Sequence, residues 1–296
     1  MAAERNKPGG SSRRVLLLAA LLCLGAAPRA PLHLGPKPSA SPQRLVTLAP
    51  SLTETVLALG AGERIVGVSR FDDAPEVCAL PKVGGYSDPS VEAVVALRPD
   101  LVLCEPSPGN RSAVERMAAL GTPVLAVPLG SEEEILAALR EVGAALGLAE
   151  KGVELANRVK ARVEAVRARA RPVARVRTLV VYDWEPLVVA GPGSFGDGML
   201  ASAGATNAAD SARSPYPVFS AELAIRAEPQ VIVDASDVRG PARERLLSLP
   251  GMKQARLAVA SPSLFRPGPR YGEAVEELFG LLHPEEATAR SEGKKP

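Results

Sequence analysis

Residues 149–170 read AEKGVELANRVKARVEAVRARA. Leu155, Val159, Val163 and Val166 recur at three- or four-residue spacing, which predicts one long helix with a single buried stripe. Pro172 ends it. The preceding run, SEEEILAALREVGAALG from Ser131, also reads as a helix. On both sides the pattern changes to short apolar strands separated by helical stretches. RLVTL from Arg44, then Ile65–Val68, Leu101–Leu103 and Val124–Val127 come before the long helix. Thr178–Tyr182, Leu187–Ala190 and Val231–Val233 come after it. Strands alternating with helices build βαβ units and a mainly parallel sheet. The expected fold class is therefore α/β, with two lobes of mainly parallel sheet joined by one long α-helix. The expected bounds are a signal segment at 1–30, a tether at 31–43 and a first lobe at 44–146. A linking helix at 147–172, a second lobe at 173–283 and a disordered polar tail at 284–296 complete the chain. Within the first lobe, Ser51-Leu52-Thr53-Glu54 has the spacing of a capping box and predicts a helix start at Ser51.

The chain has 296 residues, 23% charged, with a net charge of +2. That balance gives no footprint for nucleic acid. Arg13-Arg14, the apolar run VLLLAALLCLGAA and Pro28-Arg29 have the order of a secretory signal, and the run is short for a membrane span. Export is expected, with an uncleaved anchor, a twin-arginine signal and a lipid-modified Cys23 as open variants. The Pro-rich stretch after it reads as a flexible tether. Cys78 and Cys104 remain in the exported body, as a disulfide or as separate thiols. His33 and His283 are the only histidines. A His-based zinc site, a Ser-His-Asp triad and histidine acid/base catalysis are correspondingly disfavoured. No catalytic residue, metal site or resident cofactor is expected.

One pattern occurs twice. Tyr86-Ser-Asp-Pro-Ser90-Val-Glu92 runs on to Pro99 and the Leu101 strand. Tyr216-Pro-Val-Phe-Ser220-Ala-Glu222 runs on to Pro229 and the Val231 strand in the same register. The match is an internal repeat of one structural unit. Ser90 and Ser220 suit helix N-caps, and Glu92 and Glu222 suit a helix first turn. A Glu in each lobe would also make a two-point docking surface for a basic partner.

Aromatic residues are only 3% of the chain, so their placement carries information. Most lie at strand ends or in loops rich in Pro, Gly and Asp: SRFDDAP, GGYSDPS, VYDWEP, SPYPVFS and LFRPGPRYG. Ligands of open α/β sheets bind beyond the C-terminal strand ends, and aromatic side chains there can stack on a large flat ligand. Phe71, Tyr86, Tyr182, Trp184, Tyr216 and Phe265 are the candidate ligand residues. Arg270, with Arg70 and Arg266, is available for acidic groups on a ligand. Gly191-Pro-Gly193-Ser-Phe-Gly196 matches a dinucleotide fingerprint, with Asp210 near the ribose position. Asp210 does not follow a second apolar strand, so the loop reads better as a strand-to-helix turn beside the cleft.

RLVTLAPSLTETVLALGAGERIVGV, followed by LPKVGGYSDPSVEAVVALRPDLVL, resembles the first lobe of the periplasmic Fe/B12-binding proteins. These are cobalamin- and siderophore-type solute-binding proteins of ABC importers, of the helical-backbone class. The resemblance covers about residues 44–283. It implies two Rossmann-like lobes joined by one long α-helix, with ligand held between them. It implies that Glu92 and Glu222 engage arginines of the membrane permease. It also places Phe71, Tyr86, Tyr182 and Tyr216 at positions where aromatics line the cleft in the cobalamin branch. The chain departs from that branch at Glu105, where an aromatic can follow the Leu101 strand, and in having fewer tryptophans. The expectation is a monomeric, extracytoplasmic protein delivering a corrinoid (vitamin B12-like) ligand to an ABC importer, with no enzymatic step. A ferric siderophore or haem is the alternative ligand. A nucleotide-dependent enzyme using the Gly191 loop, and a surface adhesion or sensor module, are the rival classes.

Overall fold

The computed structural model describes residues 28–236 and 240–286. Residues 1–27 of the signal segment expected at 1–30, and residues 287–296 of the tail expected at 284–296, lie outside the described residues. The first lobe contains strands β1 (Leu32–Leu34), β2 (Leu45–Thr47), β3 (Ile65–Val68), β4 (Leu101–Cys104) and β5 (Val124–Ala126). Their order is β1-β5-β4-β2-β3. β2, β3, β4 and β5 pair in parallel, whereas β1 joins β5 antiparallel with Leu32 opposite Ala126. This corrects the tether expected at 31–43. Composition alone reads that stretch as flexible, but β5 offers an open edge, and Leu32-His33-Leu34 supplies backbone partners for it.

The helices of this lobe include α1 (Pro50–Ala58), α2 (Val91–Ala96), α3 (Arg111–Ala119) and α4 (Glu132–Ala145). Ser51 does not cap α1: the N-cap is Ala49, which makes no side-chain cap hydrogen bond. Pro50 already holds a helical φ and needs no donor, so it opens the helix one residue earlier. Glu54 is thereby released from a capping role.

The linking helix, α5 (Ala149–Ala170), buries Leu155, Val159, Val163 and Val166 as its spacing predicts. Glycines let it approach α4 closely: a β-carbon on Gly143 would lie 2.7 Å from the Gly152 Cα. The second lobe contains β6 (Val176–Trp184), β7 (Leu187–Val189), β8 (Ala205–Asn207), β9 (Val231–Asp234) and β10 (Arg256–Val259). The order is β10-β9-β6-β7, with β8 paired to the first half of β6. All these pairings are parallel except β6–β7. Helices α6 (Phe195–Ser202), α7 (Ala221–Arg226), α8 (Pro241–Ser248) and α9 (Tyr271–Leu282) surround it. Arg162 of α5 reaches Glu273 and Glu276 of α9 at 3.0 and 2.9 Å.

The core is largely aliphatic. One continuous apolar cluster runs from Leu45 and Leu125 through Leu155 and Val163 to Val180, Val233 and Phe279. It joins the two lobes through α5, which is why an amphipathic helix suffices as the connection. Among the described residues, no helix is long and apolar enough to cross a membrane.

The sequence repeat is also a structural one. Ser90 Oγ accepts from the Ala93 amide, and Ser220 Oγ accepts from the Leu223 amide, each at 3.2 Å. Before the two repeat prolines, Arg98 and Glu228 adopt left-handed φ values of 47° and 45°. Each repeat helix is also closed at its far end by an arginine. Arg44 donates to the Leu97 carbonyl at 2.7 Å, and Arg177 donates to the Ala227 carbonyl at 2.7 Å. Guanidinium groups there satisfy the carbonyls that a helix C-terminus leaves free.

Candidate functional site

One wall of the interlobe cleft is built on the loops following β3. Ser69 donates to the Asp72 carboxylate at 2.6 Å and accepts from the Phe71 amide at 3.3 Å. That small turn projects Phe71, which is 50% exposed, away from the core. Tyr86 follows Gly84-Gly85, with Gly84 at φ 101°. A β-carbon on Gly85 would collide with Asp88 and lie 3.0 Å from the Phe71 ring. Glycine is therefore what lets the two aromatic loops pack, and the Phe71 and Tyr86 rings stand 6.3 Å apart. Arg70 lies 5.2 Å from the Phe71 ring centroid and pairs with Asp88 at 2.5 Å. Asn110 ties this wall to the β4 loop, donating to the Tyr86 carbonyl at 2.8 Å and to that of Glu105 at 2.7 Å.

The facing wall gathers Tyr182 of β6, Tyr216 and Phe265. Tyr182 stands 5.7 Å from Tyr216 and 5.5 Å from Phe265, the latter edge to face. The Gly191 loop organises this group. Gly191 admits the Ser214–Pro217 segment, since a β-carbon there would collide with the Ser214 carbonyl. Gly193 supplies φ 75°. Gly196 makes room for the Tyr182 hydroxyl, which would collide with a β-carbon at that position. The Tyr182 hydroxyl therefore abuts the start of α6. The first turn of α6 is otherwise occupied by this chain's own groups. Ser194 caps the Asp197 amide, and Asp197 accepts from the Gly193 amide and the Asn207 side chain. Asp210 pairs with Arg177 at 3.0 Å. The glycines that resemble a dinucleotide fingerprint thus serve the cleft tyrosines.

Burial raises the Tyr182 phenol well above its ordinary value, and the nearby Tyr216 adds to the effect. Burial also raises the Tyr216 phenol, although the residue as a whole is 55% exposed. At the cleft edge, burial raises the Glu105 carboxyl, opposed by the Arg29 charge. Arg29 itself pairs with Glu134 at 3.1 Å. Burial alone would raise Glu134. The Arg29 guanidinium and the amides of Arg29 and Gly130 hold it below the usual carboxylate range instead.

Two of the expected ligand residues are not with this group. Trp184 lies only 6% exposed, within the apolar cluster on the outer face of the second sheet. Its indole donates to Asp234 at 3.0 Å. Strict alternation would put Tyr182 and Trp184 on one face of their strand, but the register shift between Val181 and Asp183 breaks it and turns Trp184 to the other face. Arg270 pairs with Glu273 at 3.4 Å and lines a separate charged groove. That groove has a volume of about 870 Å³ and is lined by none of the aromatic residues of either wall. It runs along α5 beside Arg158, Arg162 and Arg266. Arg266 reaches Glu54 at 2.6 Å and Asp73 at 3.2 Å, across the lobes.

Glu92 and Glu222 lie outside the cleft on the exposed faces of α2 and α7, with side chains 79% and 72% exposed. Glu222 pairs with Arg226 at 2.6 Å, and Glu92 is 4.0 Å from Arg116. Cys78 and Cys104 are free thiols, and burial pushes Cys104 up to about 12. Among the described residues there is no His/Cys/Asp/Glu group suited to hold a metal ion. Sequence reading missed Arg29, Arg44, Arg177 and the interlobe role of Arg266, all arginines whose partners are distant in the chain.

Residues 45–261 match the family described as periplasmic binding protein. An ABC transporter substrate-binding lipoprotein of Bacillus subtilis, YvrC, is 30% identical over 256 residues, covering 82% of this chain and 81% of that protein. A vitamin B12-binding protein of Pectobacterium carotovorum is 26% identical over 251 residues, covering 82% and 89%. The structure of the periplasmic heme-binding protein RhuT from Roseiflexus sp. RS-1 superposes with a TM-score of 0.75 at 29% identity. That match covers 82% of this chain and 99% of RhuT.

Proposed function

This chain belongs to the periplasmic binding protein family, and from that membership we propose that it carries a corrinoid to an ABC importer from outside the cytoplasm. The family consists of substrate-binding transport proteins rather than enzymes, and the relatives named above include a lipoprotein and a vitamin B12-binding protein. An extracytoplasmic location follows from that company.

The observation that carries the choice of ligand is the state of the arginines around the cleft. Arg70 is paired with Asp88, and Arg266 with Glu54 and Asp73. Glu105 adds a further acid. A site for an anionic siderophore, or for the propionates of haem, calls for guanidinium groups free to make charge-assisted hydrogen bonds. Aromatic faces with neutralised arginines suit a large, nearly neutral ring bearing amides. Phe71 and Tyr86 would stack on one side of it, and Tyr182, Tyr216 and Phe265 on the other.

Haem is the second reading, favoured by the likeness to RhuT. It requires a tyrosine as axial ligand. Burial raises the pKa of the Tyr182 and Tyr216 phenols, which opposes phenolate ligation there and leaves Tyr86. Glu92 and Glu222, exposed and equivalently capped, would dock the lobes on the permease.

Calorimetric titration with cyanocobalamin and with haemin separates the readings. Saturable heat with cyanocobalamin, reduced about tenfold in affinity by Tyr86→Ala or Tyr216→Ala, is expected from lost aromatic stacking. Binding of haemin with no response to cyanocobalamin would replace the corrinoid reading with the haem one.

A further inference from the structure

Arg266 follows Phe265, the aromatic that meets Tyr182 edge to face. Asp73 lies two residues beyond Phe71 on the opposite wall. One guanidinium therefore joins the aromatic loops of both lobes, and it reaches α1 as well through Glu54. The three groups come from segments 212 and 193 residues apart. The loops also touch beside this contact: a β-carbon on Gly268 would lie 3.3 Å from the Ser51 carbonyl. We infer that Arg266, held between Glu54 and Asp73, is a positioning residue that sets the separation of the two aromatic walls and so the residence time of the ligand between them. The inference rests on the cleft being the ligand site, as proposed above.

The two acids are not equivalent. The Arg266 and Glu54 side chains are only 22% and 16% exposed, whereas Asp73 is 69% exposed. The Arg266–Glu54 contact is less exposed to solvent ions than the Asp73 contact and is screened less. Arg266 stands at the rim of the charged groove along α5, so water reaches the tie from that side. Glu54 should accordingly matter more than Asp73. The tie would act mainly on dissociation, because it holds two walls that must separate for ligand to leave.

The test compares Arg266→Met, Glu54→Gln, Asp73→Asn and the charge exchange Arg266→Glu with Glu54→Arg. Cyanocobalamin dissociation is followed by stopped flow, with the fold checked by circular dichroism. Arg266→Met is expected to speed dissociation at least tenfold with association changed less than threefold. Glu54→Gln should exceed Asp73→Asn, and the exchange should recover at least part of the loss. A folded Arg266→Met protein with wild-type dissociation would overturn the inference. A second readout needs no ligand. Spin labels at Leu120→Cys and Arg245→Cys, in a Cys78→Ser background, report the distance between lobes. Arg266→Met should broaden that distribution and Glu54→Gln should do the same to a smaller extent. An unchanged distribution overturns the tie even if the protein binds no corrinoid, whereas a broadened one without cyanocobalamin binding faults only the ligand assignment.

Discussion

The Tyr182 hydroxyl occupies the space where Gly196 lacks a β-carbon. A cleft aromatic and a helix start are thereby fitted to each other. Gly196→Ala should displace the half-buried ring, costing about 1–3 kcal/mol as other overpacking changes do. It should also weaken cyanocobalamin binding, read by calorimetry. Removing the hydroxyl with Tyr182→Phe should relieve the collision. The double variant should therefore be more stable than the sum of the single effects predicts, as thermal denaturation of all four proteins would reveal.

Glu92→Arg and Glu222→Arg should each leave stability within about 0.5 kcal/mol, since both side chains are exposed and away from the core. Ligand affinity should not change. Uptake through the cognate importer should fall, and most in the double variant. Normal uptake by a stable double variant would remove the docking role.

Glu134 is 6% exposed and accepts from the Arg29 backbone and guanidinium and from the Gly130 amide. In the chain that retains Arg29, Glu134→Gln should destabilise the protein by about 2 kcal/mol at neutral pH, the range for a charge-assisted hydrogen bond. The sign of the pH effect follows from its lowered pKa. The folded state favours the carboxylate more than the unfolded chain does. This stabilisation is full above about pH 4.3, the ordinary glutamate value, and is lost as pH falls through the depressed folded value. Wild-type and Glu134→Gln denaturation midpoints should therefore converge under acid.

Trp184→Phe should separate stability from binding. It removes the indole donor to Asp234 while leaving that buried carboxylate with Arg243 at 2.9 Å. A loss of about 1–2 kcal/mol is expected from the missing hydrogen bond and ring volume. Cyanocobalamin affinity should stay within twofold. A tenfold loss of affinity would return Trp184 to the cleft.

The long helix and the strand alternation were legible because each is a local periodicity. The doubled Tyr-Ser-Glu-Pro pattern was legible because it keeps one register. The arginines that close the repeat helices were not. Arg44 meets Asp100 across 56 residues, while Arg177 meets Gln230 across 53, so comparison at a fixed offset misaligns them. β1 was missed because its pairing is decided by the free edge of β5 rather than by its own Pro-rich surroundings. Phe71, Tyr86, Tyr182, Tyr216 and Phe265 could be picked out as loop or strand-end aromatics. Trp184 met the same criterion and lies elsewhere, because the register shift in β6 has no mark in the sequence. Partners such as Arg266 and Glu54 become neighbours only once both lobes have been packed.

The connection through α5 also permits an order of assembly. Every strand of the first sheet precedes it in the chain, and every strand of the second follows. The first sheet can close without waiting for any residue of the second, and domains emerging in sequence fold in that order. The wall carrying Phe71 and Tyr86 can be complete before Tyr182 has joined a sheet. The cleft is then made by a late lobe settling against a finished template, and the first lobe alone already presents one of the two aromatic walls proposed to hold the ligand.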